Sequence, residues 1–376
     1  MGNWGEKYSL RAGVVKFWYT KSMMSEEKIG MVTMKSKIKV LIVDDAAMVR
    51  RIFAQQLAKD PELEVVGEAA DAFIAREKIT ELKPDVILLD IEMPQMDGLT
   101  FLEQIMINCP MPVIIVSSLA KEGGPIALRA LELGAADVIA KPGSSYSVKE
   151  MSEQLIEKIK AVTHVKKYSN FLDVAASSVL SLPDGRGSRE LPVIAIGAAT
   201  GGPEAITSIL TKLPEGMPPI LIVQHMPPHF TRAFAEKLND ICALEVKEAE
   251  HHEPLVSGKV LFAPGNKHMI LQRNKDGYIV AVKDGPLVFH QRPSIEVLFR
   301  SVAMYTGKDS IGVILTGMGK DGAQGLLDMK NAGALTIAQD EESSAVFGLA
   351  QEAISVNAAV KVAPLSKIPE IIINSL

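Results

Sequence analysis

The stretch "VIAIGAATGGPEAI", Val193 to Ile206, is an unbroken apolar run, a glycine-rich turn and the opening of a helix. A strand with no polar alternation is buried on both faces, and only a parallel sheet covered by helices on each side buries it so. The turn at the carboxyl end of such a strand can carry a nucleophile or cradle an anion. Its centre here is Ala198-Ala199-Thr200. A turn built like a reactive site therefore holds an alanine where chemistry is expected.

The same grammar extends outward. Downstream, "PILIVQ", "KVLFAP", "YIVAVK", "IGVILT" and "ALTIAQ" read as strands, with helices such as "PEAITSILTKL" and "HFTRAFAEKLNDI" between them. Upstream, "IKVLIV" (Ile38–Val43), "EVVGEA", "DVILLD", "PVIIVS" and "DVIA" alternate with helical segments, the first from about Ala47 to Leu57. Strand–helix alternation of this kind predicts two α/β units, each a doubly wound parallel sheet. Between them, "LPDGRGSRE" has the proline, glycine and charge of a linker. The expected division is a leader over 1–35, a first domain over 36–160, a linker over 161–190 and a second domain over 191–376. The leader reads as disordered or as an early start, with Met31 or Met34 as the alternative first residue.

Composition narrows the function classes. The chain has 376 residues, a net charge of −5 and 47% apolar residues, enough for two cores. No basic face for nucleic acid is visible. No apolar run reaches the ~18 residues of a membrane span, and no signal peptide is present. Cys109 and Cys242 stand far apart, which suits a reducing cytoplasm and gives neither a disulfide framework nor a zinc site.

Two constellations carry chemistry. In the first unit, Asp44 and Asp45 follow the first strand, Asp90 ends the third, Ser117 the fourth and Lys141 the fifth. Ligands of an open parallel sheet bind at the carboxyl ends of its strands. Three carboxylates gathered there repel one another, and an oxygen-only donor set suits Mg²⁺. A carboxylate beside Mg²⁺, a lysine and a hydroxyl can accept a phosphoryl group. In the second unit, "VQHMPPHF" places His225 at a strand end, and "LTGMGKDG" places Asp321 in a glycine-rich turn after another strand. With Ala199, three strand ends meet at one edge, where a nucleophile, a base and an orienting carboxylate would fit. The turn over Thr316–Gly319 could supply oxyanion donors, for example from Met318. His251 and His252 read as an exposed loop, and His268 and His290 as isolated.

"VLIVDDAAMVR", "PDVILLDIEMPQMDG", "VSSLA" and "DVIAKPG" resemble the flavodoxin-like receiver domain of bacterial response regulators. That resemblance implies phosphorylation of Asp90 by a histidine kinase. It implies Mg²⁺ held by Asp44, Asp45, Asp90 and the backbone carbonyl of Glu92, with Ser117 and Lys141 on the phosphoryl group. Val138 stands where many receivers carry an aromatic switch residue. "AIGAATGGPEAI", "VQHMPPHFT", "FAPGNKHM", "RPSIEVLF" and "ILTGMGKDGA" resemble the effector domain of the chemotaxis protein-glutamate methylesterase family (CheB type). That family hydrolyses glutamate methyl esters on methyl-accepting chemoreceptors, and many members deamidate receptor glutamines. The resemblance implies an α/β hydrolytic domain with no cofactor of its own, a cytoplasmic location and a triad at positions Ala199, His225 and Asp321. Thr200 would stand beside the nucleophile and Met318 at the oxyanion hole. The family pattern is G-A-S-T-G-G, so this chain has alanine at the nucleophile position. Two readings follow: an impaired, phosphorylation-regulated methylesterase, or a receiver joined to a domain that binds receptor without hydrolysing or serves as a phosphate sink. A DNA-binding regulator is disfavoured, since the second unit is strand-rich and shows no basic recognition helix.

Overall fold

In the first half, five apolar segments become a five-stranded sheet. Its elements are β1 (Ile38–Val43), α1 (Ala47–Leu57), β2 (Leu63–Ala69), α2 (Ala72–Leu82), β3 (Val86–Asp90), α3 (Gly98–Asn108), β4 (Val113–Ser117), α4 (Gly123–Glu132), β5 (Asp137–Ala140) and α5 (Val148–Val162). The structure, a computed structural model, describes residues 36–117, 123–141, 148–163, 179–182 and 192–376. The expected leader and most of the expected linker lie outside the described residues. Residues Lys37–Leu376 form one compact unit.

The first sheet has strand order β2-β1-β3-β4-β5, every pairing parallel. β3 and β4 are buried at every position, as their unbroken apolar runs require. The chain leaves β1 for β2 on one side and β3 on the other. That reversal opens a crevice beyond the ends of β1 and β3, where Asp44, Asp45 and Asp90 fall. The helices start on local signals: Asp71 caps α2 by accepting from the Ile74 N–H at 2.8 Å, and Asp97 caps α3 from the Thr100 N–H at 3.0 Å. Val138 is buried within β5, packed in the core.

The second half comprises β6 (Val193–Ala198), α6 (Gly202–Leu210), β7 (Ile220–Gln224), α7 (Phe230–Ile241), β8 (Glu245–Glu248), β9 (Glu253–Pro254), β10 (Lys259–Phe262), β11 (His268–Asn274), β12 (Gly277–Lys283), α8 (Ile295–Thr306), β13 (Ser310–Ile314), α9 (Ala323–Asn331), β14 (Leu335–Gln339), α10 (Leu349–Ser355), β15 (Lys361–Ala363) and α11 (Ile368–Ile373). Seven of these strands form a parallel sheet in the order β15-β14-β13-β6-β7-β10-β8. Its reversal point lies between β6 and β13, so the turns carrying Ala199 and Asp321 flank it.

One expectation needs correction. "YIVAVK" is not a strand of the parallel sheet. It is β12, paired antiparallel with β11 and β9 in a separate three-stranded sheet. The "RNKDGY" turn at residues 273–278 joins β11 and β12 as a hairpin, and β11, "HMILQRN", is a further strand beyond those expected. The apolar side chains Met269, Leu271 and Val280 of this hairpin pack into the same core as α8.

Candidate functional site

The site in the second half is assembled by register. β6 and β7 pair with Ala198 opposite Gln224, which puts Ala199 and His225 at adjacent strand ends. The His225 N–H donates to the Ala198 carbonyl at 3.1 Å, continuing the ladder one step past both strands. On the other flank of β6, the Ala199 N–H donates to the Thr316 carbonyl at 3.0 Å. Gly317 follows at φ +150, and a Cβ there would come within 2.5 Å of the Ala199 methyl. Only glycine lets the two turns close on each other. Gly201, at φ +76, lets the chain enter α6 directly after Thr200. The Ala199 carbonyl accepts from the Gln224 side-chain amide and from the Gly202 N–H, each at 2.8 Å. Position 199 is thus held at its N–H and its carbonyl by three hydrogen bonds.

His225 and Asp321 form a buried pair, with Nε2 2.8 Å from Oδ2. The carboxylate is itself fastened to the start of α8. Oδ1 accepts from the Ser294 hydroxyl at 2.7 Å and the Glu296 N–H at 2.9 Å, and Oδ2 also accepts from the Ile295 N–H at 2.7 Å. An acceptor ringed by donors takes its fourth hydrogen bond from a protonated nitrogen, so Nε2 carries the proton and Nδ1 is left as the base. The positive end of α8 stabilises the carboxylate further. Ser294 is positioned in turn by His268, whose Nδ1 accepts from the Ser294 N–H at 3.2 Å while Nε2 lies 2.8 Å from the Pro286 carbonyl. Among the described residues, no acceptor pairs with the Met318 N–H, which leaves it available as an oxyanion donor.

The receiver half reaches into this site. The Thr200 hydroxyl donates to Asp137 Oδ2 at 2.5 Å, and Lys158 Nζ grips Asp137 Oδ1 at 2.5 Å. His225 shares a residual gap of about 10 Å³ with Ile139, Gln154 and Lys158 of the receiver half and Gln291 of the effector half. That is about the room of a single water. A second contact joins α4 to α7, where Lys237 pairs with Glu132.

Glu204, in the first turn of α6, feels the same crowding. Burial raises its carboxyl to about 7 and the nearby Asp137 charge adds to the rise, against a hydrogen bond from its own backbone. Its folded value lies above the ordinary 4.5, so the native chain keeps a proton that the unfolded chain has released. This contribution to stability is complete below about pH 4.5 and is lost as pH rises to about 7. The loss is on the order of 1–3 kcal/mol. Thermal unfolding between pH 5 and pH 8 should show a fall in Tm that E204Q reduces; an equal fall in both proteins would refute the assignment.

In the first half, one carboxylate oxygen from each of Asp44, Asp45 and Asp90 lies within 4.8 Å of the others. Asp44 and Asp90 are buried and Asp45 is exposed. Lys141 Nζ lies 2.7 Å from Asp90 Oδ2 and 3.1 Å from Asp44 Oδ2. Asp44 Oδ2 nevertheless accepts no hydrogen bond of good geometry, though buried. Burial pushes the Asp90 carboxyl up, and the Lys141 hydrogen bond and charge offset part of that. Burial alone would lower Lys141, but the Asp90 and Asp44 carboxylates outweigh it and hold the ammonium above its usual range. The Glu92 N–H donates to Asp90 Oδ1 at 3.2 Å. Ser117 is buried at the end of β4. A buried carboxylate oxygen without a hydrogen bond, in an all-oxygen donor set, fits a hard divalent cation.

All the singled-out residues therefore fall at two crevices: Asp44, Asp45, Asp90, Glu92, Ser117 and Lys141 at one, Ala199, Thr200, His225, Met318 and Asp321 at the other. Two histidines are not isolated as expected. His268 buttresses Ser294, and His290 Nδ1 lies 2.7 Å from Glu153 of α5. Sequence reasoning missed Asp137, Glu157, Gln224 and Ser294. The Ser294-x-x-Val297 start of α8, with its serine N-cap, was the only local signal for any of them.

An acidic crevice with an adjacent lysine on one parallel sheet, and a histidine–aspartate pair beside the reversal point of a second, define a class: a response regulator with a hydrolase-type effector. Residues 40–153 match the response regulator receiver domain, and residues 194–372 match the CheB methylesterase family. The chain is 53% identical over 343 residues to protein-glutamate methylesterase/protein-glutamine glutaminase 2 of Syntrophus aciditrophicus (strain SB), covering 90% of this chain and 99% of that relative. It is 50% identical to protein-glutamate methylesterase/protein-glutamine glutaminase 4 of Anaeromyxobacter dehalogenans (strain 2CP-C), covering 89% and 94%. Among solved structures it is similar to the Thermotoga maritima CheB methylesterase catalytic domain, at 36% identity, covering 50% of this chain and 100% of that chain with a TM-score of 0.49. The chain belongs to the CheB methylesterase family, with a receiver domain preceding the methylesterase domain.

Proposed function

We propose that this chain is a phosphorylation-regulated protein-glutamate methylesterase and protein-glutamine glutaminase of methyl-accepting chemoreceptors, impaired because position 199 is alanine. The reading takes residues 36–160 as the receiver, 161–190 as the linker and 191–376 as the effector, in a cytoplasmic protein. It is carried by one observation: the buried His225–Asp321 pair stands intact beside a turn built for a nucleophile that has none. In the complete reaction a hydroxyl at 199 attacks the ester carbonyl. His225 Nδ1 takes its proton and returns it to the leaving methoxide oxygen, or to the leaving nitrogen when the substrate is glutamine, releasing methanol or ammonia. Water, deprotonated by the same nitrogen, then cleaves the acyl ester, freeing glutamate and restoring the hydroxyl. Asp321 holds the imidazole by Nε2, and the Met318 N–H faces the developing oxyanion. Thr200 does not replace the missing group in this reading, because adjacent side chains at a sharp turn point in different directions and the base must reach its nucleophile.

In the receiver, Asp90 takes the phosphoryl group from a chemotaxis histidine kinase, and Lys141 and Ser117 hold the phosphoryl oxygens. Asp44, Asp45, Asp90 and the Glu92 backbone carbonyl would hold Mg²⁺, which supplies charge neutralisation for the transfer. In the state described, the receiver covers His225 and Thr200. Phosphorylation should uncover them, so hydrogen exchange over residues 196–202 and 224–230 should rise on treatment with a phosphodonor and Mg²⁺; unchanged exchange would count against this control. The catalytic reading is tested by methanol release from methylated receptor, compared between the chain as it stands and A199S. A second reading, favoured by Ala199 itself, is a receptor-binding protein or phosphate sink without hydrolysis; it stands if A199S gains nothing.

A further inference from the structure

The receiver does more than cover the effector site, because it brings a particular side chain against the turn that carries Met318. Helix α5 presents Glu153, Gln154 and Glu157 on one face, spaced as helical neighbours. Glu153 pairs with His290, and the Gln154 amide donates to the His290 carbonyl at 2.9 Å. Glu157 goes deeper. Its Oε2 accepts from the Gln291 side-chain amide at 3.1 Å. Its Oε1 lies 3.9 Å from where a Cβ on Gly319 would stand, against the turn that carries Met318. Gln291 also lines the residual gap beside His225. A glutamate carboxylate on a helix therefore lies against the oxyanion turn and on an amide donor that adjoins the base.

Protein-glutamate is also what a protein-glutamate methylesterase releases. We propose that Glu157 occupies the subsite that receives the reacting glutamyl side chain, inhibiting as a built-in copy of the product, and that Gln291 is the residue that recognises the glutamyl oxygen there. This rests on the reading of the effector as a glutamyl esterase and glutaminase. Gln291 suits both ester and amide substrates, since its NH₂ donates to either carbonyl oxygen. The alternative is that Glu157 is one polar interface contact among several, equivalent to Glu153.

A glutamine at 157 separates the two. In the A199S background, E157Q presents a carboxamide to a restored nucleophile. The introduced hydroxyl adds to the carboxamide carbon, the C–N bond breaks and ammonia leaves with the proton carried by His225. Water then cleaves the acyl ester, returning the hydroxyl and leaving a carboxylate at 157. The net change is amide plus water to acid plus ammonia. Mass spectrometry of the unphosphorylated full chain should show conversion at 157, absent when H225A is added. Independently, E157A in the A199S background should raise unphosphorylated methanol release about tenfold, the scale of a lost charged hydrogen bond. E153A, which breaks an outlying ion pair, should raise it less than about threefold. Failure of the 157 amide to convert, or equal gains from E157A and E153A, would overturn the proposal. If phosphorylated A199S hydrolyses no receptor ester at all, the glutamyl reading of the site fails on that arm, and the mimicry falls with it.

Discussion

A199S should raise methanol release from methylated chemoreceptor by several orders of magnitude over the chain as it stands. Loss of a triad serine costs on the order of 10⁶ in turnover in a well-studied protease, and what remains comes from binding and the oxyanion hole. The surroundings needed for recovery are already in place. The backbone at 199 is held at its N–H by Thr316 and at its carbonyl by Gln224 and Gly202. Asp321 has four donors, one of them His225 Nε2. One added oxygen on a small side chain asks little of the packing. The gain should be read in the phosphorylated form, since the receiver otherwise covers His225. Adding H225A should return the rate to near background, because a serine without its base is a weak nucleophile. Substantial turnover by the alanine chain, abolished by T200V, would instead make Thr200 the nucleophile and reverse the proposal.

The second large effect is expected at Asp90. A small phosphodonor with Mg²⁺ should add one phosphoryl group to the chain, and D90N should take up none. Asp90 is 1% exposed, and its Oδ2 is 2.7 Å from Lys141 Nζ. Asp45, by contrast, is exposed, and Asp44 Oδ1 is occupied by the Ala46 N–H at 2.9 Å. Asp44 is as buried as Asp90, but the Lys141 ammonium sits closer to Asp90, at 2.7 Å against 3.1 Å, placed to hold an incoming anion there. Chelation of the metal should abolish labelling of the unaltered chain as completely as D90N does, because three clustered carboxylates repel an anionic donor unless a cation intervenes. Equal labelling of D90N would move the acceptor elsewhere. Retained labelling in excess chelator would remove the metal from the scheme.

The sequence by itself determined the two parallel sheets, their buried strands and both crevices. Unbroken apolar runs such as "VIIVS" can be buried only between two helical layers. Residues that follow such strands must gather at one edge, so Asp44, Asp90 and Lys141, like Ala199, His225 and Asp321, were legible from position alone. The alanine at 199 was legible too, since it is a residue identity. Tertiary structure alone decided the rest. Residues 268–283 carry the apolar content of strands, but period and composition do not say which neighbour a strand takes, and these fold into their own antiparallel sheet. The contacts that close the site join residues far apart in the chain: Thr200 with Asp137, Gln291 with Glu157, His290 with Glu153, Ser294 with Asp321. A polar side chain on a helix face reads as solvated in sequence, because periodicity records burial within an element and not the partner packed against it. Glu157 is such a residue: on α5 it reads as one more surface carboxylate, and the packing of one domain on the other puts it against Gly319 and Gln291.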